Sequence, residues 1–348
     1  MKKTILIFLL ITVAWQSYAC STFLINKNGQ LVFGRNYDWV TGNAIIMLNA
    51  SGVHKTAFVQ NEKGVEWTSR YGSVSFNQFG KEFPYGGMNE KGLVIDLMWQ
   101  EGTAYPEPDA RPAIQQLQWI QYQLDNCGSV DEVIATDKLL RISRNNAVPN
   151  HYLVADASGN AATIEFFNGK MVVHKGKDLP FPVLTNSTYS SAIAGYKNIE
   201  AAKKDNSQER FNKACTMITS YQSDAASKIT PVNEAFDIMR AVSQGSYTQW
   251  SIAYDITNRK IEFFTHANQK RRSISFADLN FSCSNRNNYV EIDAGTGNLN
   301  SSFTALTIEK NKAVIDRSAE ESRRTIDIPK EMCDALSSYF PTVFCKPE

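Results

Sequence analysis

The sequence predicts an α+β fold in which antiparallel sheets are covered by helices. Three observations point there. Pairs of apolar-rich segments are joined by short turn signals, helix-period segments fall between those pairs, and no internal repeat or low-complexity linker divides the 348 residues. Hairpins alternating with helix pairs build sheets whose apolar faces need helical layers over them. A single domain over residues 20–348 is the simplest organisation.

The elements follow in order. Cys20 to Ile25 and Leu31 to Tyr37 flank Asn26-Lys27-Asn28-Gly29, a good hairpin connection. Pro112 can occupy a first helical turn, and Ile114, Leu117, Ile120 and Leu124 then recur at helical spacing. Ser129-Val130-Asp131-Glu132 is a capping box that opens a second helix through Val133 and Leu139. Ala162 to Phe167 and Met171 to His174 flank Asn168-Gly169-Lys170, a second hairpin. Thr230-Pro231 starts a helix carrying Val232, Ala235, Phe236 and Met239 on one face. Ile252 to Ile256 and Ile261 to Thr265, joined through Thr257-Asn258-Arg259-Lys260, make a third hairpin.

Residues 1–19 have the layout of a secretory signal peptide. Lys2 and Lys3 give a basic start, Ile5 to Trp15 an apolar run, and Ser17-Tyr18-Ala19 a small-x-small ending. The run is too short for a stable membrane span, and no later stretch is long enough. Cleavage after Ala19 removes two lysines and no acids, so the formal charge goes from +1 to −1. The mature chain is therefore expected outside the cytoplasm, in periplasm or medium, with no integral membrane segment. Near-neutral charge argues against nucleic acid as a partner. Lys270-Arg271-Arg272, the tightest basic run, reads as a solvated loop.

Six cysteines are present: Cys20, Cys127, Cys215, Cys283, Cys333 and Cys345. Export permits disulfides. Cys333 and Cys345 are a candidate local pair, although spacing does not settle connectivity. No C-x-x-C occurs and the four histidines are scattered, so no metal is expected.

Cys20, directly after the cleavage site, has three meanings: lipid anchor, disulfide partner or N-terminal nucleophile. A lipoprotein signal has an aliphatic residue three before the cysteine and a small residue two before; here those positions hold Ser17 and Tyr18. The nucleophile reading has a physical basis. A free α-amine has a pKa near 8, so it can take the thiol proton without a histidine base. Arg35 and Asp38, on the strand returning from the first hairpin, can sit beside it. A guanidinium favours thiolate, and a carboxylate can orient the amine. An exposed strand-end ion pair is the alternative for those two residues.

Cys20-Ser-Thr-Phe followed by Gly34-Arg35-Asn36-Tyr37-Asp38-Trp39 resembles the choloylglycine hydrolase family of N-terminal-nucleophile enzymes, which includes bile salt hydrolases and penicillin V acylases. Asn89-Glu90-Lys91-Gly92-Leu93, Leu184-Thr185-Asn186 and Glu209-Arg210-Phe211 continue the resemblance in the same order. It implies a four-layer αββα sandwich with two antiparallel sheets and no cofactor. The implied activity is hydrolysis of a linear amide, with a small-molecule N-acyl amide as substrate. Cys20 would be nucleophile and, through its amine, base. Arg35 and Asp38 would support the thiol and amine, Asn186 would donate to the oxyanion, and Arg210 would complete the charged network.

Two departures bear on substrate. Where several family members carry an Asn or Tyr that shapes the oxyanion hole, the position counted from Asn89 is Trp99, which offers one indole N–H and no acceptor. A backbone N–H is then expected as the second oxyanion donor. Trp99, with Trp39 and Met98, becomes a candidate pocket wall for an apolar or aromatic acyl group, and Tyr105 is also available at the mouth. The alternative for Trp99 is a core position beside Met98. Only 23 residues separate Asn186 from Arg210, so the extension that helps Gram-positive bile salt hydrolases form tetramers is expected to be absent or very short. The sequence leaves open a homo-oligomer and the identity of the acyl group. A lipid-anchored envelope binding protein and an inactive family-like binder are the competing functions.

Overall fold

The computed structural model describes residues 19–145, 147–197 and 205–346. The predicted leader, apart from Ala19, lies outside the described residues.

The first hairpin is β1 (Ser21–Lys27) and β2 (Gln30–Asp38). Its two-residue turn, Asn28-Gly29, has positive φ at both positions. That backbone matches strand twist, and Asn and Gly adopt it at little cost. The chain then adds β3 (Ile45–Asn49), β4 (Val53–Thr56), β5 (Glu66–Thr68) and β6 (Ser73–Asn77). A second tight pair is β7 (Gly86–Asn89) and β8 (Val94–Trp99). Asn89 pins the turn between them: its side-chain oxygen accepts from the Lys91 and Leu93 N–H groups, and its amide donates to the Leu124 and Cys127 carbonyls. That segment of the family resemblance is thus a fold support.

The first helix begins later than the sequence implies. Ala113–Ile114 forms the short strand β9, and α1 is Gln116–Asn126, capped by the Gln115 side chain, so Pro112 stands outside it. The capping box holds: Ser129 accepts from the Glu132 N–H at the start of α2 (Val130–Ala135). This helix stops before Leu139, which is exposed. Strands β10 (Arg141–Ile142), β11 (Asn150–Ala155), β12 (Ala161–Phe167), β13 (Lys170–Lys175) and β14 (Val183–Leu184) follow. The β12–β13 turn again has positive φ at Asn168 and Gly169.

Helices α3 (Tyr189–Lys197), α4 (Asn206–Ser223) and α5 (Pro231–Ala241) come next, α5 with Thr230 as its cap. Then come β15 (Thr248–Asp255), β16 (Lys260–Thr265), β17 (Arg272–Ser275), β18 (Asn288–Glu291), β19 (Gly297–Asn298) and β20 (Thr304–Ala305). The chain closes with α6 (Ile308–Ser322), α7 (Lys330–Tyr339) and β21 (Phe344–Cys345).

Two large sheets result. One has the order β14-β1-β2-β15-β16-β17-β19 and the other β13-β12-β11-β8-β7-β6-β3-β18-β20. Neighbours pair antiparallel except β17 with β19. Helices α4 and α5 cover the first sheet, and α1 packs on β7 and β8 of the second. Between the sheets, Phe76 of the second meets Tyr254 and Phe263 of the first edge-on, at centroid distances of 6.1 and 5.6 Å. This is the four-layer αββα sandwich that the sequence resemblance implies.

The disulfide joins Cys283 to Cys345, while Cys333 is a free buried thiol in α7. The candidate pair Cys333–Cys345 is therefore corrected. Cys333 faces the core from one side of a helix, and β21 carries Cys345 away to pair with β4. No helix among the described residues is long and apolar enough to cross a membrane.

Candidate active site

The first hairpin and its two neighbours build the centre. In the β1–β2 register Thr22 lies opposite Arg35 and Ser21 opposite Asn36, so Cys20, one step beyond, reaches the end of β2 where Asp38 sits. The Cys20 Sγ lies 4.0 Å from the Asp38 carbonyl oxygen. On the other side of β2, Thr248 of β15 donates to Asp38 Oδ1 at 2.5 Å. On the other side of β1, β14 pairs with Thr22 and Phe23, which delivers Asn186 just past the strand end. All four positions are thus consequences of strand pairing.

Arg210 enters from the covering layer, one turn into α4. Its Nη1 donates to the Cys20 carbonyl at 2.5 Å and to Ser21 Oγ at 2.7 Å. Its Nη2 donates to Asn186 Oδ1 at 3.0 Å, and its Nε to Asn206 Oδ1 at 2.9 Å. With its oxygen held by a guanidinium, the Asn186 amide turns its NH2 the other way, where one N–H meets the Trp99 carbonyl at 2.8 Å. The structure therefore brings Cys20, Asp38, Asn186 and Arg210 together. Cys20 and Asp38 line the adjoining cavity; Asn186 and Arg210 stand behind that lining.

Arg35 joins the cluster from the sheet interior. It is fully buried, and Nη1 bonds Asp96 Oδ1 at 2.5 Å and the Leu97 carbonyl at 2.8 Å. Burial pulls its guanidinium down, but Asp96, with Cys20 and the neighbouring tyrosines, holds it above the ordinary value. Sequence reasoning missed Asp96. It lies three residues before Trp99 on β8, and its partner comes from the opposite sheet, which no local spacing signals.

Burial dominates the electrostatics. It pushes the Cys20 thiol up to about 11, against the pull of Arg35 and Arg210. Burial also raises Asp38 to about 7, although Thr248, Arg210 and Arg35 oppose this. Asp38 Oδ2 and Arg35 Nε and Nη2 are buried with no hydrogen-bond partner among the described residues. Orphaned buried polar atoms cost stability, and here they gather around one thiol. Cys20 is still preceded by Ala19 in this chain, so its nitrogen is a peptide nitrogen.

The cavity opening on Cys20 has a volume of about 610 Å³, the size of a small-molecule site. Trp39 and Trp99 stack at 6.2 Å and both line it, as do Tyr37 and Tyr85. Met98 does not line it. Side chains alternate along a strand, so Leu97 and Trp99 face the cavity while Met98 points between the sheets, where Thr22 Oγ1 meets its sulfur at 3.2 Å. Tyr105 is also off the lining, bonded to the Val148 carbonyl. The signal that corrects Met98 was present in the sequence, since adjacent strand residues cannot share a face.

Comparison with known proteins places this geometry. Residues 20–223 match the family model described as linear amide C–N hydrolases, choloylglycine hydrolase family. A penicillin V acylase of Pectobacterium atrosepticum is 30% identical over 189 residues, 49% of this chain and 50% of that protein, so the chain spans about half the length of the curated relative it matches. Among solved structures, the penicillin V acylase of Agrobacterium tumefaciens superposes with a TM-score of 0.71 at 23% identity, covering 83% of this chain and 98% of that one. A mutant of the conjugated bile acid hydrolase from Clostridium perfringens gives 0.66 at 19% identity, covering 80% and 98%. At those identities the likeness establishes the fold.

Proposed function

Because the chain belongs to the choloylglycine hydrolase family of linear amide C–N hydrolases, we propose that it cleaves an N-acyl amide with Cys20 as nucleophile. The observation that carries this reading is the Arg210 clamp, which ties the buried Cys20 and Ser21 and the half-buried Asn186 into one unit beside the cavity.

Removal of residues 1–19 turns the Cys20 nitrogen into a free amine. A thiol pushed up to about 11 stays protonated at neutral pH; a neutral α-amine, with an ordinary pKa near 8, takes its proton. Asp38 Oδ2, which lacks a partner in the unprocessed chain, accepts from that amine. The thiolate attacks the amide carbon and the carbonyl oxygen becomes an oxyanion, for which the second N–H of Asn186 is the proposed donor. Collapse breaks the C–N bond, the leaving amine takes the proton held on the α-amine, and the acyl group remains as a thioester on Cys20. Water, deprotonated by the same amine, attacks the thioester and releases the acid. The thiol then regains its proton.

An aromatic-lined cavity supports an apolar or aromatic acyl group, as in a conjugated bile salt or a phenoxyacetyl β-lactam. The Cys283–Cys345 disulfide supports export to an oxidising compartment, periplasm or medium. Intact mass and a hydrolysis panel test the proposal together. The panel holds taurine and glycine bile conjugates, penicillin V and acyl homoserine lactones. The expected result is a protein beginning at an unmodified Cys20 that turns over at least one substrate, with turnover abolished in Cys20→Ala. A diacylglyceryl adduct on Cys20, or equal turnover by both proteins, would overturn it.

A further inference from the structure

We propose that the segment Ile326–Leu336, at the chain's C-terminal end, is the specificity wall of the cavity and selects uncharged acyl groups by length. This rests on the amidase reading above. Ile326, Asp327, Ile328, Glu331, Met332 and Leu336 all line the cavity that opens on Cys20, more than 300 residues away in sequence.

The wall is anchored at both ends. Before it, α6 is fastened to the loop that carries Trp39. Trp39 Nε1 donates to Ser322 Oγ at 3.1 Å, Thr41 bonds Glu321, and Asn43 Nδ2 donates to Ser318 Oγ at 2.7 Å. Ser318 Oγ in turn donates to the Gln78 carbonyl at 2.7 Å, and Gln78 Oε1 accepts from Tyr37 at 2.5 Å. The aromatic wall and the C-terminal wall are therefore braced on one hydrogen-bond chain. After the segment, Tyr339 donates to the Thr56 carbonyl at 2.7 Å, β21 pairs with β4, and the Cys283–Cys345 disulfide closes the end. Cys333 and Leu336 of α7 sink into the second sheet's core. A segment held this way acts as a fixed wall, and a fixed wall discriminates by size.

Its charge adds a second filter. Among the described residues, the charged ones on the cavity lining are Asp38, Asp327 and Glu331, all acidic, and none of the lining residues is Lys, Arg or His. Asp327 and Glu331 are exposed, and a second carboxylate brought beside them meets like charge instead of a cationic partner. An acyl chain that ends in its own carboxylate is thus disfavoured, while an uncharged chain is accepted.

The test uses N-acylglycines from acetyl to tetradecanoyl, with ω-carboxy acyl analogues of matched length. For each protein kcat/KM is measured, and binding of the same compounds to forms that also carry Cys20→Ala is measured by calorimetry. Met332→Trp narrows the cavity and should shift the long-to-short preference at least tenfold towards short acyl groups. Met332→Ala should shift it the other way. Asp327→Lys with Glu331→Lys should raise use of the ω-carboxy series relative to the uncharged one by at least tenfold. Identical length profiles in both Met332 variants, with wild-type circular dichroism, would overturn the wall. If no compound is hydrolysed but the binding profile still shifts with Met332, the amidase reading fails and the wall stands.

Discussion

Arg210 spends its donors on holding other groups still, and that makes Asn186 the residue whose loss should read most cleanly in kinetics. With Oδ1 clamped and one N–H on the Trp99 carbonyl, the amide has one orientation. Asn186→Ala is expected to lower kcat by about 10²–10³ with KM little changed, as for one lost oxyanion donor. Steady-state kinetics on any substrate of the panel checks this, and an unchanged kcat would remove Asn186 from the mechanism. Asp38 offers a thermodynamic test. Its carboxyl is raised from 3.8 to about 7 in the folded chain that retains Ala19. Between those values the folded state holds a proton that the unfolded state has released, so stability falls as pH rises through that window and is level above it. In that unprocessed form Asp38→Asn removes Asp38's share of the slope, while Asp96, which burial also raises to about 7, keeps its own. The variant's gain over wild type should grow by about 3 kcal/mol between pH 5 and pH 8, read by urea unfolding at each pH.

At the scale of elements, the β7–β8 pair shows how a backbone detail governs a side-chain pair. A Cβ on Gly86 would overlap the Asp96 carboxylate directly opposite it. Gly86→Ala is therefore expected to push Asp96 off Arg35 and leave a buried charge uncompensated, at a cost of about 3–5 kcal/mol; urea unfolding that matches wild type would refute this. The same pair shows what was legible. Two hairpins could be read from their Asn-Gly turns and flanking apolar segments and the third from its apolar flanks, all local signals, whereas Asn89 to Leu93 was read only as a family-like motif. Cys20, Arg35, Asp38, Asn186 and Arg210 could be read as a series because each sits in a short motif. Asp96, Thr248 and Ser21 could not, because their roles come from neighbours across a sheet or between sheets. Met98 was misplaced by treating neighbours on one strand as one surface. Helix α1 was started early because Pro112 fits a first turn equally well as it fits the approach to β9. The C-terminal wall was illegible for another reason: Ile326, Ile328 and Met332 have the same pattern whether they fill a core or face a cavity.

At the scale of the whole molecule, the disulfide ties the last strand to a loop 62 residues earlier. Chain-entropy arithmetic for a loop of that length gives about 4 kcal/mol. Cys345→Ser should lower unfolding free energy by about that amount, and a loss below about 1 kcal/mol in urea titrations would show that β21 and α7 hold the end by themselves. The remaining consequence comes from where the Arg210 clamp draws its parts. Its two ends are separated by 190 residues, and the Thr248 bond to Asp38 spans 210. Contacts that distant close slowly, because loop entropy must be overcome before they stabilise anything. Hairpins form early, but Cys20 has no clamp until the first sheet and its helical cover have met. Refolding would thus recover secondary structure first and turnover last. On the proposed reading, Cys20 stays unarmed in every partly folded chain, and catalysis is the reporter that folding has finished.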